Sequence, residues 1–214
     1  VKEMIKAIIF DWSGVLSDDW ECTYLTAQEV LKIRGLKTLT RKQFKVLHEQ
    51  PWTKFYKNIG TEVDMKEEYE IWGKLMPKNF HCIKLFPYTK KVLAWAKKEG
   101  IKSIVLTARS TNSMNVELAK TGLLPLIHKV YSEHENKKKK IHELLKEQNL
   151  GTDEVIYVGD TGHDVDTARH AGIKSVAVLS GYDSLEKLEK EKPDYIIDSV
   201  KELPALIEKI YGER

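Results

Sequence analysis

Long apolar runs are missing from this chain of 214 residues. With them goes any segment able to cross a membrane as a helix, which takes about 20 consecutive apolar residues. Cysteine is scarce: Cys22 and Cys82 are the only two, too few for a disulfide framework or a zinc site. A pair of buried thiols in a reducing cytoplasm is the expected state. No surplus of one charge exists either. The 35 Lys and Arg against 32 Asp and Glu leave +3, which excludes the strongly basic balance that nucleic acid or an anionic membrane surface calls for. Internal repeats and disordered linkers are absent, and nothing at the start resembles a signal peptide, because Lys6 leads within a few residues into a core strand and a buried acid. What remains is 42% hydrophobic and 31% charged, the composition of a soluble protein with a full core. The expectation is a cytoplasmic monomer or small homo-oligomer, built as one large domain or a domain with an insertion.

The apolar run Ala7–Phe10 reads as a short buried strand that stops at Asp11, with Gly14 breaking the pattern three residues later. Residues 19 to 84 then read as helices. Tyr24–Arg34 ends at Gly35, Thr40 and Gln43 form a capping box for a helix closed by Pro51, Trp52–Ile59 is shorter, and Asp64 with Glu67 opens another that stops before Pro77. From Pro87 the pattern becomes helix, strand, helix, strand. Pro87 suits the first turn of a helix through Lys98; strands are expected at Ile101–Leu106, Leu126–Tyr131, Val155–Val158, Ser175–Leu179 and Tyr195–Ile197. Helices are expected between them at Ser113–Lys120, Ile141–Gln148, Asp164–Ala171 and Ser184–Lys190, and Ser199 with Glu202 caps a last one. Such alternation predicts an α/β fold: a Rossmann-like three-layer core with a parallel sheet covered on both faces. The core would comprise residues 1–18 and 85–214, and the inserted helical domain residues 19–84.

Three predicted strands end on polar groups: Asp11, Thr107 and Asp160. Parallel strands present their carboxyl ends along one sheet edge, where open α/β sheets collect their chemistry. A lone strand-end acid beside a glycine can simply cap a turn. Two buried carboxylates brought together, however, repel unless a cation bridges them. Mg2+ is the expected cation, since it prefers oxygen ligands and keeps open positions for water and phosphate. Asp164 could hold the metal's waters or bind it directly. Thr107 offers a hydroxyl and neighbouring backbone N–H groups to phosphate oxygens, and a lysine from the run 137–140 could neutralise the remaining charge.

In order and position this set resembles the haloacid dehalogenase superfamily, dominated by Mg2+-dependent phosphatases. The first motif matches Asp11-Trp12-Ser13-Gly14-Val15-Leu16, the second Thr107 after Ile104-Val105-Leu106, and the fourth Gly159-Asp160-Thr161-Gly162-His163-Asp164. The third is a lone lysine, and counting back from Asp160 favours Lys137, with Lys138 next. The insert matches the family's helical cap in position and size. The resemblance implies that Asp11 is a nucleophile forming an aspartyl-phosphate, and that Mg2+ is held by Asp11, the Ser13 backbone carbonyl, Asp160 and Asp164. It also implies that a small phosphorylated substrate is gripped by Thr107, Ala108, Arg109 and Lys137.

One departure stands out. Most phosphatases of the family carry a second aspartate two residues after the nucleophile, where this chain has Ser13. That aspartate protonates the leaving group and then activates water, a role worth about 10²–10⁴-fold, and a serine hydroxyl has no comparable acidity. A slow phosphatase favouring good leaving groups, a substitute acid (His163, Asp18 or Asp19), phosphotransfer, C–P bond hydrolysis of the phosphonoacetaldehyde hydrolase kind through a cap lysine (Lys54 or Lys57), or a weakly active homologue that binds a phosphorylated ligand or partner would each account for it. The dehalogenase branch lacks the Mg2+ carboxylate pair. The aromatics Trp20, Trp52, Phe55, Tyr56 and Trp72 are expected mainly as the insert's own core.

Overall fold

The computed structural model describes residues 4–133 and 136–212. Its central strand is the apolar run, β1 (Ala7–Phe10), in which all four residues are buried. A two-residue strand β2 (Ser17–Asp18) follows, then four helices: α1 (Trp20–Ile33), α2 (Arg41–Leu47), α3 (Trp52–Asn58) and α4 (Met65–Leu75). After β3 (Lys84–Leu85) the chain alternates as α5 (Thr89–Lys98), β4 (Lys102–Leu106), α6 (Thr111–Thr121), β5 (Lys129–Tyr131), α7 (Lys137–Gln148), β6 (Val155–Gly159), α8 (Gly162–Ala171), β7 (Lys174–Val178), α9 (Leu185–Glu191), β8 (Tyr195–Ile197) and α10 (Leu203–Tyr211). Six strands form one parallel sheet in the order β5-β4-β1-β6-β7-β8, and β2 pairs with β3 in a separate two-stranded sheet.

The period of two along the strands sorts the core into two layers. Ile8, Phe10, Val105, Ile156, Val158, Val176 and Val178 pack on one face with Val92 and Leu93 of α5, Met114 and Leu118 of α6 and Ile207 of α10. Ile9, Ile104, Leu106, Val155 and Tyr157 pack on the other with Ile141, Leu144 and Leu145 of α7 and Ala168 of α8. Each fully buried aliphatic or aromatic side chain contributes about 1.5–3 kcal/mol, enough in sum for β1 to tolerate an acid at its end.

The chain divides into two compact units, one of the residues up to Ser17 with those from Leu85, the other Asp18–Lys84. The helical unit has its own core. Phe44 meets the rings of Trp20, Tyr24, His48 and Phe55, and Trp52, Tyr56 and Trp72 join the same cluster. Within that core the buried carboxylate of Glu68 is fully engaged: Arg34 Nε lies 2.6 Å from Oε2, Trp72 Nε1 donates to Oε1 at 2.9 Å, and the Tyr56 hydroxyl also donates to Oε1. Neither cysteine is in a disulfide; Cys22 is buried and Cys82 half-buried, so only one of them is the buried thiol expected. Among the described residues no helix is long and apolar enough to cross a membrane.

Several boundaries differ from the pattern for local reasons. Helix α5 begins at Thr89, two residues past Pro87, and the Thr89 hydroxyl donates to Leu16 O at 2.9 Å instead of the proline opening the helix. The stretch from Leu126 pairs only from Lys129, because Pro125 sets a 3-10 turn at Leu124–Leu126. Helix α7 starts four residues early, at Lys137, because the Asn136 side chain caps it by accepting from Lys139 N at 3.1 Å. The Ser199–Glu202 box caps a 3-10 turn that runs on into α10.

Phe44→Ala is expected to destabilise the helical unit by about 3–5 kcal/mol through loss of the ring and the cavity left behind. Hydrogen exchange should register faster opening of amides in Asp18–Lys84, with those of β1, β4 and β6 unchanged.

Candidate active site

The register of the sheet assembles the site. Phe10 lies opposite Val105 on one side and Val158 on the other. One residue further, Asp11 stands level with Leu106 and Gly159, and Thr107 and Asp160 follow one step beyond. Asp11 N donates to Val158 O at 2.9 Å, and Thr107 N to Tyr131 O at 2.9 Å, so the ladder holds both residues before any side-chain contact is counted. Asp11, Asp160 and Asp164 are 7%, 1% and 1% exposed, and one oxygen from each lies within 4.8 Å of the others. Three acids so buried need compensation.

Lys137 supplies part of it. At the first position of α7 its Nζ lies 2.8 Å from Asp11 Oδ1 and 2.7 Å from Asp164 Oδ1. The rest of the lysine run faces elsewhere: Lys138 pairs with Asp166, Lys140 with Glu143, and Lys139 is exposed. Asp164 is the best-supported acid. Its Oδ2 accepts from Thr161 N at 3.2 Å and Thr161 Oγ1 at 2.6 Å, and its Oδ1 also accepts from the Tyr157 hydroxyl at 3.1 Å. Burial would raise its carboxyl, but Lys137 and Thr161 outweigh that and hold it below its ordinary value. Burial likewise works against the Lys137 ammonium, yet Asp11 and Asp164 win and hold it well above the usual lysine range. For Asp11 burial wins over Lys137 and, with Asp164 adding, pushes the carboxyl from 3.8 to about 6.

Asp160 is the acid left short. Its Oδ2 accepts from Tyr182 N at 2.7 Å, while Oδ1 is buried with no hydrogen-bond partner. Burial, followed by Asp164 and Asp11, drives its carboxyl well above the ordinary value. A Cβ on Gly14, whose φ is +76°, or on Gly181 would overlap this carboxylate; only glycine lets both backbones approach so closely. An orphaned oxygen beside two further acids fits a divalent cation with oxygen donors.

Thr107 is buried at the end of β4, and its Oγ1 accepts from Arg109 N at 3.2 Å. Ala108 is exposed. Ser13 is half-buried and its Oγ accepts from Arg109 Nη2 at 3.0 Å. His163 is half-buried in the first turn of α8. Asp18 is exposed, and Asp19 is buried at the N-cap of α1, both in the helical unit. Lys54 pairs with Glu49 at 2.8 Å and Lys57 is exposed. The sequence assigns no role to Thr161, Tyr157, Gly181, Tyr182 and Glu117, although Thr161 stands within the fourth motif. Thr161 could have been found, because Thr161-Gly162-His163-Asp164 spells a capping box; Gly181 and Tyr182 carry no local signal.

A family model described as haloacid dehalogenase-like hydrolase matches residues 8–178. The protein named "Putative pyrophosphatase PpaX" of Caldanaerobacter subterraneus subsp. tengcongensis is 31% identical over 95% of this chain and 94% of its own length. The phosphoglycolate phosphatase of Synechococcus elongatus is 22% identical over 93% and 95%. Among solved structures, a haloacid dehalogenase-like family hydrolase from Streptococcus pneumoniae superposes with a TM-score of 0.83 at 22% identity, covering 94% of this chain and 98% of that one, a likeness of fold. The family model spans the strand-end acids and the helical insert alike: the chain belongs to the haloacid dehalogenase-like hydrolase family, and it is a hydrolase.

Proposed function

We propose that this hydrolase is a Mg2+-dependent phosphohydrolase acting on a small phosphorylated metabolite through an aspartyl-phosphate at Asp11. The observation that carries the reading is the buried cluster in which Asp11 shares Lys137 with Asp164 while Asp160 Oδ1 stays unpartnered. Relatives named for pyrophosphatase and phosphoglycolate phosphatase activity support the substrate class. Asp11, Asp160 and Asp164, with the Ser13 carbonyl, would hold the metal; when bound it supplies charge neutralisation and polarises a phosphoryl oxygen. An Asp11 oxygen forms a bond to phosphorus as the bond to the leaving oxygen breaks, and the leaving oxygen takes the electron pair. Thr107, the Ala108 and Arg109 segment and Lys137 would steady the equatorial oxygens, the main task a protein has in phosphoryl transfer. Water then attacks phosphorus, frees the Asp11 carboxylate, and leaves its oxygen on phosphate and its hydrogens on phosphate or solvent.

The helical unit Asp18–Lys84 would serve as the family's cap, and its packed aromatics are consistent with a unit that keeps its own core. The small net charge of +3 gives no support to nucleic acid or a membrane as partner, and two cysteines outside any disulfide suit a cytoplasmic enzyme, working as a monomer or small homo-oligomer. C–P hydrolysis has less support, since Lys54 is spent on Glu49 at the surface.

Asp11→Asn should reduce Mg2+-dependent hydrolysis of an aryl phosphate to background, and Lys137→Met should lower kcat by about 10²–10³-fold, the usual loss for one transition-state donor. Steady-state assays check both, and turnover surviving Asp11→Asn overturns the mechanism.

Asp160 gives a pH test. Because its folded-state carboxyl sits well above 3.8, the metal-free fold binds that proton more tightly than the unfolded chain does. Its contribution to stability therefore falls as pH rises above its ordinary value of 3.8. In EDTA, Asp160→Asn should be more stable than the parent at about pH 8, with the gain shrinking toward about pH 4. Mg2+ should raise the Tm of the parent and leave that of the variant in place. Thermal melts across pH with and without metal check both expectations.

A further inference from the structure

Two residues past Asp11 and two past Thr107, Ser13 and Arg109 meet: Arg109 Nη2 donates to Ser13 Oγ at 3.0 Å. The guanidinium is anchored from behind. Its Nη1 lies 3.0 Å from Glu117 Oε1, with side-chain exposures of 5% and 1%, and Trp12 Nε1 donates to Glu117 Oε2 at 2.7 Å. Glu117 sits in α6 between the core residues Met114 and Leu118, a place where packing alone calls for an apolar side chain. Replacing a buried ion pair with apolar residues is often neutral or stabilising, so stability alone does not explain an acid at this position. What the acid does is fix the direction of a planar, permanently charged fork beside Ser13.

We infer that Arg109, oriented by the positioning residues Glu117 and Trp12, binds the leaving group, and that the substrate class is the phosphoanhydrides, in which the leaving group is itself a phosphate. This rests on the phosphohydrolase reading above. The Ser13 hydroxyl is far too weak an acid to protonate a leaving group, so the leaving group this residue suits is one that departs as a stable anion. An alkoxide is a strong base and departs badly without an acid. A departing phosphate is a weak base and carries negative charge, which a guanidinium matches with two parallel hydrogen bonds. In the step itself an Asp11 oxygen bonds to the terminal phosphorus, and the bond from that phosphorus to the bridging oxygen breaks. The bridging oxygen keeps the electron pair as part of the leaving phosphate, whose charge Arg109 meets with no proton transferred. Water later releases the second phosphate from Asp11 as already described.

The test uses the full chain with Mg2+ and three substrates: inorganic pyrophosphate, p-nitrophenyl phosphate and glycerol phosphate. The first two have leaving groups of similar acidity, and only the first leaves as a phosphate. The parent should favour pyrophosphate over glycerol phosphate by about 10²-fold or more in kcat/KM, the scale of a missing general acid. Arg109→Gln should lose at least about tenfold more on pyrophosphate than on p-nitrophenyl phosphate, the scale of one charge-assisted contact, and Arg109→Lys should restore part of the difference. Glu117→Gln should move the same ratio in the same direction. The double variant Arg109→Gln/Glu117→Gln removes both charges of this buried pair together, so it reports the ratio even where a single variant folds poorly. Equal losses on pyrophosphate and the aryl ester, or a parent that prefers glycerol phosphate, overturn the inference. If aryl phosphate turnover still depends on Asp11 in that case, the phosphohydrolase reading stands without it; if the parent hydrolyses no phosphate at all, both fall.

Discussion

Three carboxylates and one ammonium buried at a single sheet edge are the constraint on which the rest of this molecule depends. Asp11, Asp160 and Asp164 bring three carboxylates together in a buried space, and Lys137 offsets only part of their charge. Such a cluster is costly wherever it sits, and the surrounding fold is arranged to support it. Thr161 and Tyr157 satisfy Asp164, the backbone of Tyr182 satisfies one oxygen of Asp160, and two glycines make room for the same carboxylate. The oxygen left without a partner is where a cation is chemically called for.

The support comes from the ladder of the sheet. Because β1 lies between β4 and β6 in one parallel register, Asp11 reaches the sheet edge one step before Thr107 and Asp160, which arrive level with each other from strands far apart in sequence. The apolar residues before them pin that register, since a slip by one residue would turn Phe10 and Ile9 each to the face the other now occupies. The helical unit solves the problem of an inner acid differently. Glu68 is matched with Arg34, Tyr56 and Trp72 inside an aromatic core, so its carboxylate is fully spent on packing. In the α/β unit Asp160 keeps an oxygen free of protein partners. The contrast separates an acid that stabilises from one available for chemistry.

Ser13 and Arg109 give the site its individual character. The family's usual acid is missing at residue 13, and a guanidinium fixed by Glu117 stands against the serine that replaces it. A charge of fixed position can stabilise a leaving anion without supplying a proton, which bears on the leaving groups that the proposed nucleophile could expel.

Much of this was legible in the sequence, and for a local reason: apolar runs that end on Asp11, Thr107 and Asp160 announce buried strands and the polar groups at their ends within a few residues. The α/β alternation, the helical insert and the N-caps at Thr40, Ser184 and Ser199 are short-range patterns of the same kind. The lysine of the 137–140 run was narrowed by spacing, and only the Asn136 cap and the turn of α7 decided that residue 137 points inward while its neighbours meet solvent. Gly181 and Tyr182 stand opposite Asp160 through the packing of β6 beside β7, and Glu117 reaches Trp12 across 105 residues of chain. The amino-acid order by itself determined which residues end the strands, because hydrophobic periodicity and turn chemistry act over a few residues. The tertiary structure alone decided which acid keeps an unpartnered oxygen and which cation faces Ser13, because those outcomes depend on close approaches between segments that only the folded sheet brings together.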